Sequence, residues 1–141
     1  MVEKNKLLAV IRVRGRVKVR ASIAETLTRL RLRRVNNLVL INSKNASYLG
    51  MVQNCKDFVT FGEIDEASLS KLFSAKGVIA SKEAISSLVS GEKTANELKI
   101  EMPLRMHPPR HGYEGIKKDY KSGGSLGYRS AEINKLILRM L

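Results

Sequence analysis

Tryptophan is absent, and aromatic residues make up only 5% of the 141-residue chain. A polybasic membrane binder needs a bulky apolar face beside its cations, so this scarcity argues against a membrane surface as partner. A single cysteine, Cys55, rules out an internal disulfide and suits a reducing compartment. It reads as a small core or helix residue. No apolar run reaches about 18 residues, so no membrane-spanning helix is expected. The opening Met-Val-Glu-Lys-Asn-Lys has no signal-peptide pattern, and no secretory leader is expected. Catalytic signatures are also missing. His107 and His111 stand four apart, but Pro108-Pro109 between them forbids a helix, and no cysteine or carboxylate joins them. Gly123-Gly124 and Gly127 lack the lysine of a phosphate loop. No enzyme, metal, cofactor or small-molecule substrate is expected.

Negative charge is also scarce relative to positive. Thirteen acidic residues face 26 basic ones, a formal net charge of +13. Such a chain repels itself unless a polyanion neutralises it, which points to nucleic acid. The excess is uneven. Residues 1–35 hold 11 basic and 2 acidic residues, residues 36–100 hold 7 of each, and residues 101–141 hold 8 and 4. Both ends read as contact surface and the middle as ordinary solvated surface. Apolar content of 43% is too high for a disordered chain, and the length suits one domain.

Leu7 to Arg14 is an apolar run rich in branched residues, and it predicts a strand. Alternation puts Leu7, Ala9, Ile11 and Val13 on one face. Arg12 and Arg14 share the other, about 6–7 Å apart. Gly15 breaks the run, and Arg16, Lys18 and Arg20 follow at every second position. Ser22 with Glu25 three residues on forms a capping box, predicting a helix whose core stripe is Ile23, Leu27 and Leu30. Asn37–Asn42 predicts a second strand. Asn45 or Ser47 caps a helix containing Tyr48, Leu49, Met51, Val52 and Cys55. Asp57–Ile64 predicts a third strand. This β-α-β-α-β order suits one sheet with both helices on one face, a two-layer sandwich.

Residues 65–100 read as a helical insertion. Asp65-Glu66 opens one helix, with Leu69, Leu72 and Phe73 as its stripe and Gly77 as its stop. Ser81–Val89 makes another helix, and Thr94-Ala95-Asn96-Glu97 is a further capping box. Residues 101–141 form a basic extension. Leu104–His107 suits an edge strand stopped by Pro108-Pro109. Arg110–Tyr128, rich in glycine, reads as a long loop that orders on binding. Its cations Lys117, Lys118 and Lys121 suit phosphate, and Tyr113, Tyr120 and Tyr128 suit sugar or base. Ser130 then opens a last helix with Ile133, Leu136, Ile137 and Met140 on one face.

Three stretches resemble the large-subunit ribosomal protein family numbered thirty in bacteria and archaea and seven in eukaryotes. They are TLTRLRLRRVNNLV from Thr26, YLGMVQNCKDFVTFGEID from Tyr48, and Leu104–Met140 with LRMHPPR, GIKKDY, GGSLGYR and EINKLILRM. With the first strand they cover nearly the whole chain. Bacterial members resemble only about the first 64 residues, and eukaryotic members carry a long basic N-terminal extension, so the resemblance is to the archaeal form. It implies an α+β fold in one domain, with a core close to a ferredoxin-like arrangement and a three-stranded sheet with strand one central. It also implies a structural role on the cytoplasmic large subunit, with ribosomal RNA and neighbouring ribosomal proteins as partners. The chain departs from the family pattern at His111, where a second glycine is frequent, at Glu114, where a cation is common, and at Phe61, which replaces a frequent tryptophan.

The expected RNA contacts follow from charge, glycine and resemblance together. Arg12, Arg14, Arg16, Lys18 and Arg20 form the densest group, with Arg31, Arg33 and Arg34 next. Tyr48, Gly50 and Met51, with Lys44 before them, make a second patch, glycine permitting close approach to phosphate. His107 and Arg110, presented by the Pro-Pro turn, join Lys117, Lys118, Tyr120, Lys121 and Arg129 in the third. The alternative function is an RNA-binding module of a non-ribosomal ribonucleoprotein, or an RNA chaperone.

Overall fold

Strand β1, Leu7–Arg12, is buried along its whole length and lies in the middle of a five-stranded sheet. The computed structural model describes residues 7–15, 19–77, 81–90, 104–113 and 115–141. Helix α1, Ala21–Arg29, leads to β2, Asn37–Asn42, which pairs antiparallel with β1. Helix α2, Ala46–Asn54, leads to β3, Val59–Glu63, antiparallel to β1 on its other side. Helices α3, Glu66–Ala75, and α4, Lys82–Ser90, follow. Strand β4, Leu104–Arg105, adds antiparallel to β2, and β5, Gly127–Tyr128, adds parallel to β3. Helix α5, Ile133–Met140, closes the chain. The order is β4-β2-β1-β3-β5. The central position of β1 is as expected, but the sheet is mixed and has five strands where three were expected.

Alternation along β1 divides the interior in two. Leu7, Ala9 and Ile11 join Leu38 and Leu40 under α3, α4 and α5, which contribute Leu69, Phe73, Leu88, Ile133 and Ile137. Val10 joins Val39, Ile41, Val59 and Phe61 under α1 and α2, which contribute Leu27, Leu30 and Val52. The expectation of two layers is therefore corrected to three. Both β1 faces are apolar, and a strand of that pattern needs cover on each side. Helices α3 and α4 supply much of the second cover. Each fully buried leucine or phenylalanine there is worth about 1.5–3 kcal/mol.

The helix starts vary in how they are capped. Asn45 Oδ1 accepts from the Ser47 and Tyr48 amides, and Asp65 Oδ1 accepts from the Ser68 amide at 2.8 Å. The capping box expected at Ser22 does not form. Helix α1 begins at Ala21, one residue before that serine, with Arg20 at the N-cap and no side-chain cap. Glu25 instead pairs with Arg29 on the exposed surface. Thr94–Glu97 lies outside the described residues.

Candidate nucleic-acid interface

Strand directions decide where the cations gather. Because β2 and β3 run antiparallel to β1, both start at the end where β1 finishes. Strand β4 runs antiparallel to β2 and so finishes at that end, while β5, parallel to β3, starts there. Four basic segments therefore converge: Arg14 after β1, Arg31 to Arg34 before β2, Arg110 after β4, and Lys117, Lys118 and Lys121 before β5. All of these but Arg14, which is half-buried, are exposed. The opposite end has Asp65 and Glu66 after β3.

The loop between α1 and β2 is shaped by the way α1 stops. The Leu32 amide donates to Leu27 O at 2.9 Å, and the Arg31 amide to Thr28 O at 3.0 Å. This double closure needs a left-handed residue between, and Arg31 supplies it at φ 64. Helix α3 puts Gly77 in the same place at φ 70, as its sequence predicted. In α1 a side chain stands where glycine is favoured. The turn sends Leu32 into the core and leaves Arg31, Arg33 and Arg34 outside. His111 is likewise left-handed, at φ 66.

Two arginines expected on the contact surface are inside the protein. Arg12 is 3% exposed; its Nε donates to Arg14 O at 2.9 Å and a terminal nitrogen to Leu32 O at 2.7 Å. Its face of β1 is covered by α1, so the side chain braces the two loops that flank it. Arg129 is 8% exposed, donating to Thr60 Oγ1 and Ser125 O at 2.8 Å each, with its guanidinium 4.9 Å from the centre of the Tyr120 ring. Arg14 is half-buried, stacked 5.1 Å over Phe58. Val19, beside the exposed N-cap residue Arg20, lines a groove of about 370 Å³ with Arg12, Ala24, Thr28 and Arg33. Arg16 and Lys18 lie outside the described residues, as does Glu114.

The second expected patch is at the other end of the sheet. Lys44 follows β2 there and is exposed; Tyr48 and Gly50 are exposed on α2, while Met51 is half-buried against the core. A Cβ on Gly50 would meet nothing within 4 Å, so its backbone is open to close approach. His107 is exposed, its amide held by Met140 O.

The glycine-rich loop carries more structure than its composition suggests. Gly124, Ser125, Leu126 and Gly127 are buried, and Leu126 is 2% exposed. The Tyr120 amide donates to Leu126 O at 2.7 Å, Gly124 to Asp119 O at 2.8 Å and Leu126 to Lys118 O at 3.1 Å. The tyrosines serve the fold. Tyr113 donates to Asn36 Oδ1 at 2.6 Å, tying the Arg110 turn to the Arg33–Arg34 loop. Burial pushes its phenol up to about 12, against the pull of Arg129 and Arg139. Tyr128 donates to the Glu63 carboxylate and packs on Phe61, so Phe61 is a core residue. Arg139 was not anticipated. It donates to Arg110 O and Gly112 O, fixing the turn that displays Arg110, and only its place in the last turn of α5 hinted at it. Burial likewise pushes the Cys55 thiol up to about 11, which suits an unreactive core residue. No cluster of metal-binding side chains occurs among the described residues.

The family described as Ribosomal protein L30p/L7e matches residues 8–59, from β1 to the start of β3. Large ribosomal subunit protein uL30 of Methanococcus vannielii is 42% identical over 94% of this chain and 98% of its own length. The chain belongs to this family. The Thermoplasma acidophilum protein of the same name is 39% identical, over 96% of this chain and 93% of its own. That of Nanoarchaeum equitans is 40% identical, over 96% and 99%. The match to these relatives covers nearly the whole chain.

Proposed function

We propose that the chain is a structural constituent of the large ribosomal subunit that holds ribosomal RNA against the basic end of its sheet. Family membership supports the ribosomal role. The observation that carries the RNA reading is the convergence of four cationic segments, far apart in sequence, on one end of one sheet. Phosphates approaching that end release counterions from several cations at once. The contacts are Arg14, Arg31, Arg33, Arg34, Arg110, Lys117, Lys118 and Lys121, with Arg16, Lys18 and Arg20 on the segment entering α1. Arg12 and Arg129 act from within. Lys44, Tyr48, Gly50 and Met51 form a smaller contact at the far end. The core β2-β1-β3 with α1 and α2 on one face supports a ferredoxin-like kinship, extended by β4, β5 and the second helical layer. The role is recognition of folded RNA by phosphate contact and shape, without catalysis.

The test is co-sedimentation with large subunits in high magnesium, followed by binding to isolated large-subunit RNA across a salt series. Stoichiometric sedimentation and steep salt dependence are expected. Tight binding to short single strands without sedimentation would instead favour an RNA chaperone or another ribonucleoprotein.

A further inference from the structure

Arg129 is a cation in the most basic part of the chain, yet its guanidinium is spent inside. It reaches β3 through Thr60 Oγ1, the loop through Ser125 O, and covers one face of Tyr120. Thr60, itself 0% exposed, passes the bond on by donating to Gly127 O at 3.0 Å. The Arg129 amide donates to Phe61 O at 2.9 Å. These contacts join the sheet to the segment that displays Lys117, Lys118 and Lys121. That segment crosses itself closely, since a Cβ on Gly124 would come within 2.1 Å of Lys118 O. Glycines cost much backbone entropy to order, and the planar fork and stacking face of Arg129 add to the backbone bonds and the buried Leu126 that hold them.

We propose that Arg129 is a positioning residue: with Thr60 it fixes the Lys117–Lys121 segment in its RNA-binding shape before RNA arrives, and touches no phosphate itself. The proposal rests on the RNA-binding reading above. It separates two roles that a basic residue can play. A phosphate contact adds to the salt slope, about one unit per contact. A brace changes how much order must be created on binding and leaves the number of ion contacts in the bound state alone. Lysine keeps the charge but has neither the fork nor the stacking plane, so it should not replace a bracing arginine.

The experiment uses the full chain with Arg129→Lys, Arg129→Ala and Thr60→Val, and isolated large-subunit RNA as probe. Thr60 cannot reach RNA, so any effect of Thr60→Val on binding is transmitted through the brace. All three variants should bind at least about tenfold more weakly at fixed salt, the cost of ordering roughly one further residue's backbone. Their salt slopes should match the parent's. Hydrogen exchange in the free variants should accelerate at the Tyr120, Gly124 and Leu126 amides and stay slow along β1. Full binding by Arg129→Lys, with a flattened slope for Arg129→Ala, would make Arg129 a phosphate contact and overturn the proposal. Unchanged loop exchange in Thr60→Val, or equal acceleration along β1, would also overturn it. If the parent itself fails to bind RNA, the RNA reading fails, and the exchange data alone decide whether the brace exists.

Discussion

Arg31→Gly should raise stability and lower RNA affinity together. Arg31 closes α1 in a left-handed conformation, φ 64, where a Cβ is unfavourable by about 1–2 kcal/mol. Glycine removes that strain but gives the unfolded chain more freedom, returning about 0.4–1 kcal/mol. The bonds that define the turn, Leu32 N to Leu27 O and Arg31 N to Thr28 O, are backbone bonds and survive the change. The net gain is about 0.5–1 kcal/mol, which for a chain of this size raises the melting temperature by about 1–4 °C. The exposed guanidinium is lost, so the dependence of log affinity on log salt should flatten by about 0.7–0.9. Thermal melting by circular dichroism and RNA binding from 50 to 200 mM salt, as order-of-magnitude conditions for such titrations, would test both arms. A lower melting temperature would refute the strain argument. A slope and affinity equal to the parent's would show that the strained arginine is not kept for RNA.

Arg12→Ala should behave in the opposite way, losing about 3 kcal/mol or more as two carbonyls lose a charged donor, with little change in salt slope; a flattened slope at full stability would put Arg12 back on the surface. Gly124→Ala drives a Cβ to 2.1 Å from the backbone oxygen of Lys118, and should cost at least about 1–3 kcal/mol in a denaturant titration; a neutral result would refute that crossing. Tyr113 has a folded pKa of about 12, above its ordinary 10. The folded state therefore holds the proton more tightly, and its stabilisation is complete below pH 10 and lost as pH rises towards 12; Tyr113→Phe should show a shallower decline over that range, and parallel declines would contradict the burial argument. Phe73→Ala should cost about 3–5 kcal/mol in chemical unfolding, because Phe73 is 1% exposed under the sheet; a loss below 1 kcal/mol, at the scale of surface substitutions, would mean that α3 is dispensable to the core.

The sequence by itself determined most elements and their caps, because those depend on neighbours a few residues away. The run Leu7–Arg12 could only be a strand, Asn37–Asn42 likewise, and Asn45, Asp65 and Gly77 marked helix ends that the backbone uses. The motifs after Leu104, with the stretches from Thr26 and Tyr48, carried the resemblance to the family that the relatives show. Two things needed the tertiary structure. One was which way a side chain faces when both faces of its strand are covered. Alternation put Arg12 opposite Ile11, but only the packing of α1 made that side interior. The other was every pairing of distant segments. Thr60 pairs with Gly127, 67 residues away, and that pairing makes β5, buries Leu126 and turns Arg129 inward. Local periodicity carries no information about such a contact, which forms only because its hydrogen bonds and burial offset the entropy of closing a long loop onto a sheet edge. The same pairings set the strand directions, and strand directions are what bring four basic segments to one end. Charge in the sequence indicated a polyanion; the topology indicated where it is met.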